Sequence, residues 1–141
     1  MDELQIEKTL KDSGLKKTTV RIAVLRYLSD SSIALSQPEF EAFFKGQENR
    51  VTVYRVLRDL EEKRLIHRVY DVEGIARFAL CRSCNEHTHN DEHLHFNCVA
   101  CKNVFCLEDV NLTIPVLPKG FKINMIHFTV EGICEKCNNN N

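Results

Sequence analysis

The chain has 141 residues, 43% of them hydrophobic, and a formal net charge of −1. That length admits one domain or two small ones, each too small for a generous core, so a metal staple or a partner subunit is expected to help. The acidic start (Met1-Asp2-Glu3) is not a signal peptide and no stretch reaches transmembrane length, which predicts a cytoplasmic protein without membrane contact.

Residues 2–13 read as a polar helix with Leu4, Ile6 and Leu10 on its apolar side, ended near Gly14. A basic run without acids follows: Lys16, Lys17, Arg21 and Arg26. Within it, residues 18–29 form a stronger helix, because Val20, Val24 and Leu28, with Ala23 and Tyr27, make one stripe at helical spacing. Ser36-Gln37-Pro38-Glu39 is a helix start, with serine as cap, glutamate three residues on and proline in the first turn. Phe40, Phe43 and Phe44 point inward and Gly46 ends this segment. Residues 50–64 give a further helix that buries Val53, Val56, Leu57 and Leu60 and turns Tyr54, Arg55 and Arg58 outward.

A short helix, a turn and a helix showing Tyr and Arg is a helix-turn-helix pattern. The β-rich runs Leu65–Tyr70 and Ile75–Cys81, on either side of Asp71-Val72-Glu73-Gly74, read as a hairpin, which turns that pattern into a winged helix. Arg55 and Arg58 then face base edges or phosphates, and Lys16, Lys17 and Arg21 are placed to position the DNA backbone. If the hairpin is centred on Gly74, His67 stands directly opposite Cys81, close enough for both to hold one ion.

Residues 82–92 are polar, lack periodicity and form a linker with a surplus of metal donors, among them Cys84, Glu86, His87, His89 and Asp91. His93 and His95 follow; in a strand both rings point to one face. Cys98 and Cys101 have the C-x2-C spacing of a zinc knuckle, and Cys134 and Cys137 repeat it. Two such knuckles predict a closed four-cysteine structural zinc site. Between them lie a strand at Val104–Leu107 carrying Cys106, a short helix or turn over 108–117, and a last strand region from Phe121 to Glu131. The fold class is therefore α+β: a winged helix-turn-helix over 1–81, a linker over 82–92 and a small α/β unit over 93–137. Residues 138–141 read as a disordered tail.

Enzyme signatures are missing: neither the H-x-E with P-C-x2-C of zinc deaminases nor H-E-x2-H nor a glycine-rich phosphate loop occurs. A thiol redox protein built on Cys81 and Cys84 is the alternative of another class.

Taken together, Lys16-Lys17-Thr18-Thr19-Val20-Arg21, Thr52-Val53-Tyr54-Arg55-Val56-Leu57, Leu65-Ile66, His93-x-His95, Cys98-x2-Cys101 and Gly132-x-Cys134-x2-Cys137 resemble the ferric uptake regulator family over nearly the whole chain. The resemblance implies a metal-sensing homodimeric repressor that binds a palindromic operator in double-stranded DNA, with Thr52 and Tyr54 on the recognition helix. Iron- and peroxide-sensing members usually add a histidine near Ala34 and a carboxylate at the position of Cys106. This chain has neither, so it looks closer to the zinc-sensing branch, with Zn2+ ahead of Fe2+ or Mn2+ and a sensor set of His67, Cys81, His93 and His95. An iron- or peroxide-responsive regulator is the alternative within the family. The family's further site would draw on Glu92, Glu108 and His127, but Leu94 stands where another ligand is needed.

Overall fold

The computed structural model describes residues 1–80, 93–124 and 126–140. The chain opens with α1 (Glu3–Asp12), where Asp2 and Gln5 form a capping box, and α2 (Thr19–Asp30), capped by the Thr18 hydroxyl. Next come β1 (Leu35–Ser36), α3 (Gln37–Phe44) and α4 (Arg50–Glu62). The Ser36 amide donates to Glu39 Oε2 at 2.7 Å, the capping box legible in the sequence. The Asn49 side chain accepts from the Thr52 amide at 2.8 Å and starts α4.

These helices and the hairpin of β2 (Ile66–Tyr70) and β3 (Ala76–Leu80) close over one core. It joins Ile6 and Leu10 of α1, Val24, Leu25 and Leu28 of α2, Phe40 and Phe44 of α3, and Val53, Val56, Leu57 and Leu60 of α4 to Ile66 and Phe78. The polar-looking α1 thus joins the core through Ile6 and Leu10, whereas Leu4, expected on the same apolar side, is exposed. β1, which the sequence did not announce, pairs with β3, so the sheet order is β1-β3-β2 and β2 is an edge strand.

The hairpin register departs from the expectation that His67 faces Cys81: His67 pairs with Ala79. Asp71 is the reason. Its Oδ1 accepts from the amides of Glu73 (2.9 Å) and Ile75 (3.0 Å), and its own amide donates to the Ile75 carbonyl. These bonds close a loop whose midpoint is Glu73, and Gly74, at φ +77°, takes the left-handed position late in the loop rather than its centre. Cys81 itself lies outside the described residues.

A second sheet follows, with β4 (Leu94–Cys98) between antiparallel β5 (Val104–Leu107) and parallel β6 (Thr129–Gly132). Residues 108–117 form no helix, in keeping with the two prolines at 115 and 118 that interrupt any turn begun there. The chain closes on α5 (Glu135–Asn139), so Asn138 and Asn139 belong to a helix and not to a disordered tail. A smaller core of Ala34, Val69, Ala79 and Val104 joins the two sheets.

Asp71 is buried, and burial pushes its carboxyl up. The Arg77 guanidinium at 2.9 Å and the Ile75 and Glu73 amides outweigh that and hold it below the usual carboxylate value. A depressed carboxyl stabilises the fold above the unfolded-state pKa of about 4 and loses that contribution as pH falls through the folded value. Asp71→Asn should therefore cost about 1–3 kcal/mol in urea unfolding at pH 7. The gap from the unsubstituted chain should narrow below about pH 4; a gap independent of pH would refute the assignment.

Candidate metal centres and nucleic-acid interface

β4 carries donors of two different clusters. Cys98 at its end meets Cys101, Cys134 and Cys137, and their sulfurs all lie within 4.8 Å of one another. Cys101 Sγ and Cys134 Sγ are 3.8 Å apart. The amides of Cys101 (3.5 Å) and Cys134 (3.3 Å) donate to Cys98 Sγ and pull its thiol down to about 6. The Cys134 thiol beside it, followed by burial, pushes Cys137 up to about 12. One thiolate is thus prepared by the backbone, while the crowd of sulfurs resists further negative charge. A divalent cation removes that conflict, and four sulfurs at this spacing fit tetrahedral zinc.

The second cluster joins His67 of β2, His93 and His95 of β4 with its approach, and Cys106 of β5, again with donor atoms within 4.8 Å. His95 and Cys106 are direct partners in the β4–β5 ladder. His95 Nε2 lies 3.3 Å and Cys106 Sγ 3.5 Å from His67 Nε2. His93 is buried, and neither of its ring nitrogens has a hydrogen-bond partner among the described residues. A buried imidazole left so is costly unless something else engages its lone pair. The donor set of three imidazoles and one thiol fits a borderline-soft divalent ion.

The predicted sensor set thus comes together at His67, His93 and His95, and Cys106 joins it. Cys81, Cys84, Glu86, His87, His89 and Glu92 lie outside the described residues. His127 and Glu108 are exposed and belong to neither cluster. The signal for Cys106 was its replacement of a carboxylate; its pairing with His95 depends on a strand register that no local pattern encodes.

On α4, Val51, Tyr54, Arg55 and Arg58 are exposed on the face opposite the buried stripe, with Thr52 partly covered at its start. Arg58 pairs with Asp59 and Glu62 at 3.8 and 3.6 Å, surface contacts that a phosphate can displace. Lys16 is exposed, and Lys17 is exposed with its ammonium on Glu7. Arg21 is a correction to the expected DNA-contacting set. Its side chain is only 16% exposed, bonded to Asp59 at 2.7 Å and to the Lys16 carbonyl at 2.8 Å. It ties α2 to α4 rather than facing solvent.

The architecture is a winged helix-turn-helix followed by a small α/β unit with a four-cysteine cluster. The sequence profile of the Ferric uptake regulator family matches residues 12–130. The Ferric uptake regulation protein of Bacillus subtilis (strain 168) is 31% identical over 143 residues, covering 95% of this chain and 93% of that protein. The Peroxide operon regulator of the same organism is 26% identical over 145 residues, covering 92% and 89%. Among solved structures, a zinc uptake regulator complexed with zinc and DNA superposes with a TM-score of 0.66 at 23% identity, covering 96% of this chain and 92% of that one. The chain belongs to the ferric uptake regulator family, whose members are metal-responsive transcription regulators.

Replacing Cys98 by Ser removes the thiol that two amides stabilise. The variant should lose one tightly held zinc per chain, as read by native mass spectrometry, and unfold at lower temperature, since structural zinc supplies roughly 10 kcal/mol in small domains. Retention of one non-exchanging zinc would rule out the four-cysteine site.

Proposed function

We propose that this chain is a zinc-responsive repressor that binds palindromic operator DNA as a homodimer, with a structural zinc on Cys98, Cys101, Cys134 and Cys137. The observation that carries the reading is buried His93, its two ring nitrogens without hydrogen-bond partners among the described residues, set among His67, His95 and Cys106. His67, His93, His95 and Cys106 would hold a zinc ion there, which would tie imidazole and thiolate donors together. Such a set disfavours iron and manganese, which take harder oxygen donors more readily.

The chain's own residues define what the tie would do. His67 stands on the edge strand of the winged helix, whereas His93, His95 and Cys106 stand on or beside β4 and β5. Engaging all four holds the wing, and with it α4, at one position relative to the second sheet. Arg55, exposed and without an ion pair among the described residues, is the candidate for base contact. Lys16, Lys17 and Arg58 supply phosphate contacts, and Thr52 and Tyr54 border them.

A dimer is supported by apolar side chains that a single chain leaves uncovered: Ile114, Val116, Phe121, Ile123 and Val130. A second copy would cover them, and two recognition helices would then meet two half-sites about one helical turn apart. The presence of DNA in the solved zinc uptake regulator complex agrees with this use of the fold. The reading places the chain in the cytoplasm, where operator DNA lies.

Operator binding titrated against buffered free zinc, ferrous iron and manganese tests the reading; zinc should act at the lowest free concentration. His67→Ala should keep the four-cysteine zinc but bind operator at saturating zinc as weakly as metal-free protein. Arg55→Ala should cost about 1–3 kcal/mol of operator affinity and relax base preference. Zinc-independent binding by the unsubstituted chain, or a lower threshold for iron, would overturn the assignment.

A further inference from the structure

The β4–β5 register aligns two cross-strand pairs on one face. His95 opposes Cys106, and two residues along each strand Asn97 opposes Val104. Residues two apart share a face, so the donor pair and the Asn97–Val104 pair are adjacent rungs. Both rungs meet the winged helix. His67 reaches the first, while Val69, Ala79 and Ala34 pack on Val104 at the second.

The second rung also holds two hydrogen bonds to the winged helix. The Val104 carbonyl accepts from the Ala34 amide at 2.8 Å, and Asn97 Nδ2 donates to the Tyr70 carbonyl at 3.1 Å. Tyr70 ends β2, an edge strand whose outer side has no strand neighbour in its own sheet among the described residues. Asn97 is 4% exposed, and its Oδ1 is buried without a hydrogen-bond partner among the described residues. Burying that oxygen carries a penalty that an aliphatic side chain of similar size would avoid. Packing alone therefore does not account for a carboxamide here.

We propose that Asn97 is a positioning residue that docks the edge of the wing onto the second sheet and so presents His67 to His95 and Cys106. This rests on the proposed function in one respect, that the docked arrangement is the one that binds operator. The two rungs lie side by side on rigid strands, so closing either lowers the ordering cost of closing the other. Asn97 and the metal are then linked reciprocally: whatever weakens one contact weakens the other.

Asn97→Leu in the full-length chain is the informative variant, because it keeps the branched shape and the number of heavy atoms and removes both the donor and the buried oxygen. The Leu variant should keep its full zinc content at saturation and unfold within a few degrees of the unsubstituted chain. Its operator affinity at saturating zinc should fall about tenfold, and the free zinc needed to half-fill the His67 cluster should rise by a similar factor. Amide exchange at Ala34, read by mass spectrometry with only the four-cysteine site loaded, should quicken.

Unchanged Ala34 exchange and an unchanged zinc midpoint would overturn the proposal. If the unsubstituted chain binds operator regardless of zinc, the functional reading fails, while the exchange comparison still decides the role of Asn97. Should the Leu variant aggregate, Asn97→Ser, which withdraws the amide donor from Tyr70, is judged by the same two outcomes.

Discussion

His67 reaches from the winged helix into the donor cluster of the second sheet. It is the only donor of the mixed cluster, among the described residues, that comes from the winged helix; the others stand on or next to β4 and β5. The small core between the sheets uses Ala34, Val69, Ala79 and Val104, side chains too short to bury much apolar area. With so little hydrophobic attraction across the joint, polar contacts share the alignment: the His67 imidazole at 3.3 Å from His95 and 3.5 Å from Cys106, the Ala34–Val104 backbone bond and the Asn97–Tyr70 bond.

The two clusters face different demands, and the placement of their residues follows. The four cysteines lie at the end of β4 and at the turn into α5, so they close the second unit on itself without reference to the wing. Under the proposed function that suits a site that would support folding, since a small sheet with many exposed apolar residues gains from a staple. The histidine-rich cluster lies on the face of β4 that meets the wing. There the same kind of ion would act on an equilibrium between arrangements rather than on the fold.

Much of this was legible in the sequence because it is local. Helical periodicity located the stripes of α2 and α4, the Ser36–Glu39 capping box located the start of α3, and the C-x2-C pairs announced the thiol cluster. What escaped was register. Centring the hairpin on Gly74 treated glycine as the middle of the loop, whereas the Asp71 carboxylate organises the loop and glycine only meets its left-handed position. A shift of that kind changes every cross-strand pair, which is how Ala79 came to stand opposite His67. The joining of Cys106 to His95, and the burial of Arg21 against Asp59, are likewise long-range facts. Two isolated charges in a sequence do not disclose that they meet 38 residues apart.

The division of donors also sets how response and affinity can be separated within the proposed function. Three donors on the second unit could retain an ion whether or not the wing is docked, whereas the fourth contact forms only in the docked arrangement. Metal affinity would then rest mainly on His93, His95 and Cys106, and the change in DNA binding on His67. An ion that accepts three donors plus solvent would fill the site without docking the wing. One that insists on four protein donors would do both. Selectivity would lie in which ion completes its coordination with an imidazole from across the joint, a stricter criterion than occupancy. Linkage carries the consequence back the other way, because DNA that holds the wing docked offers the metal its fourth ligand already in place.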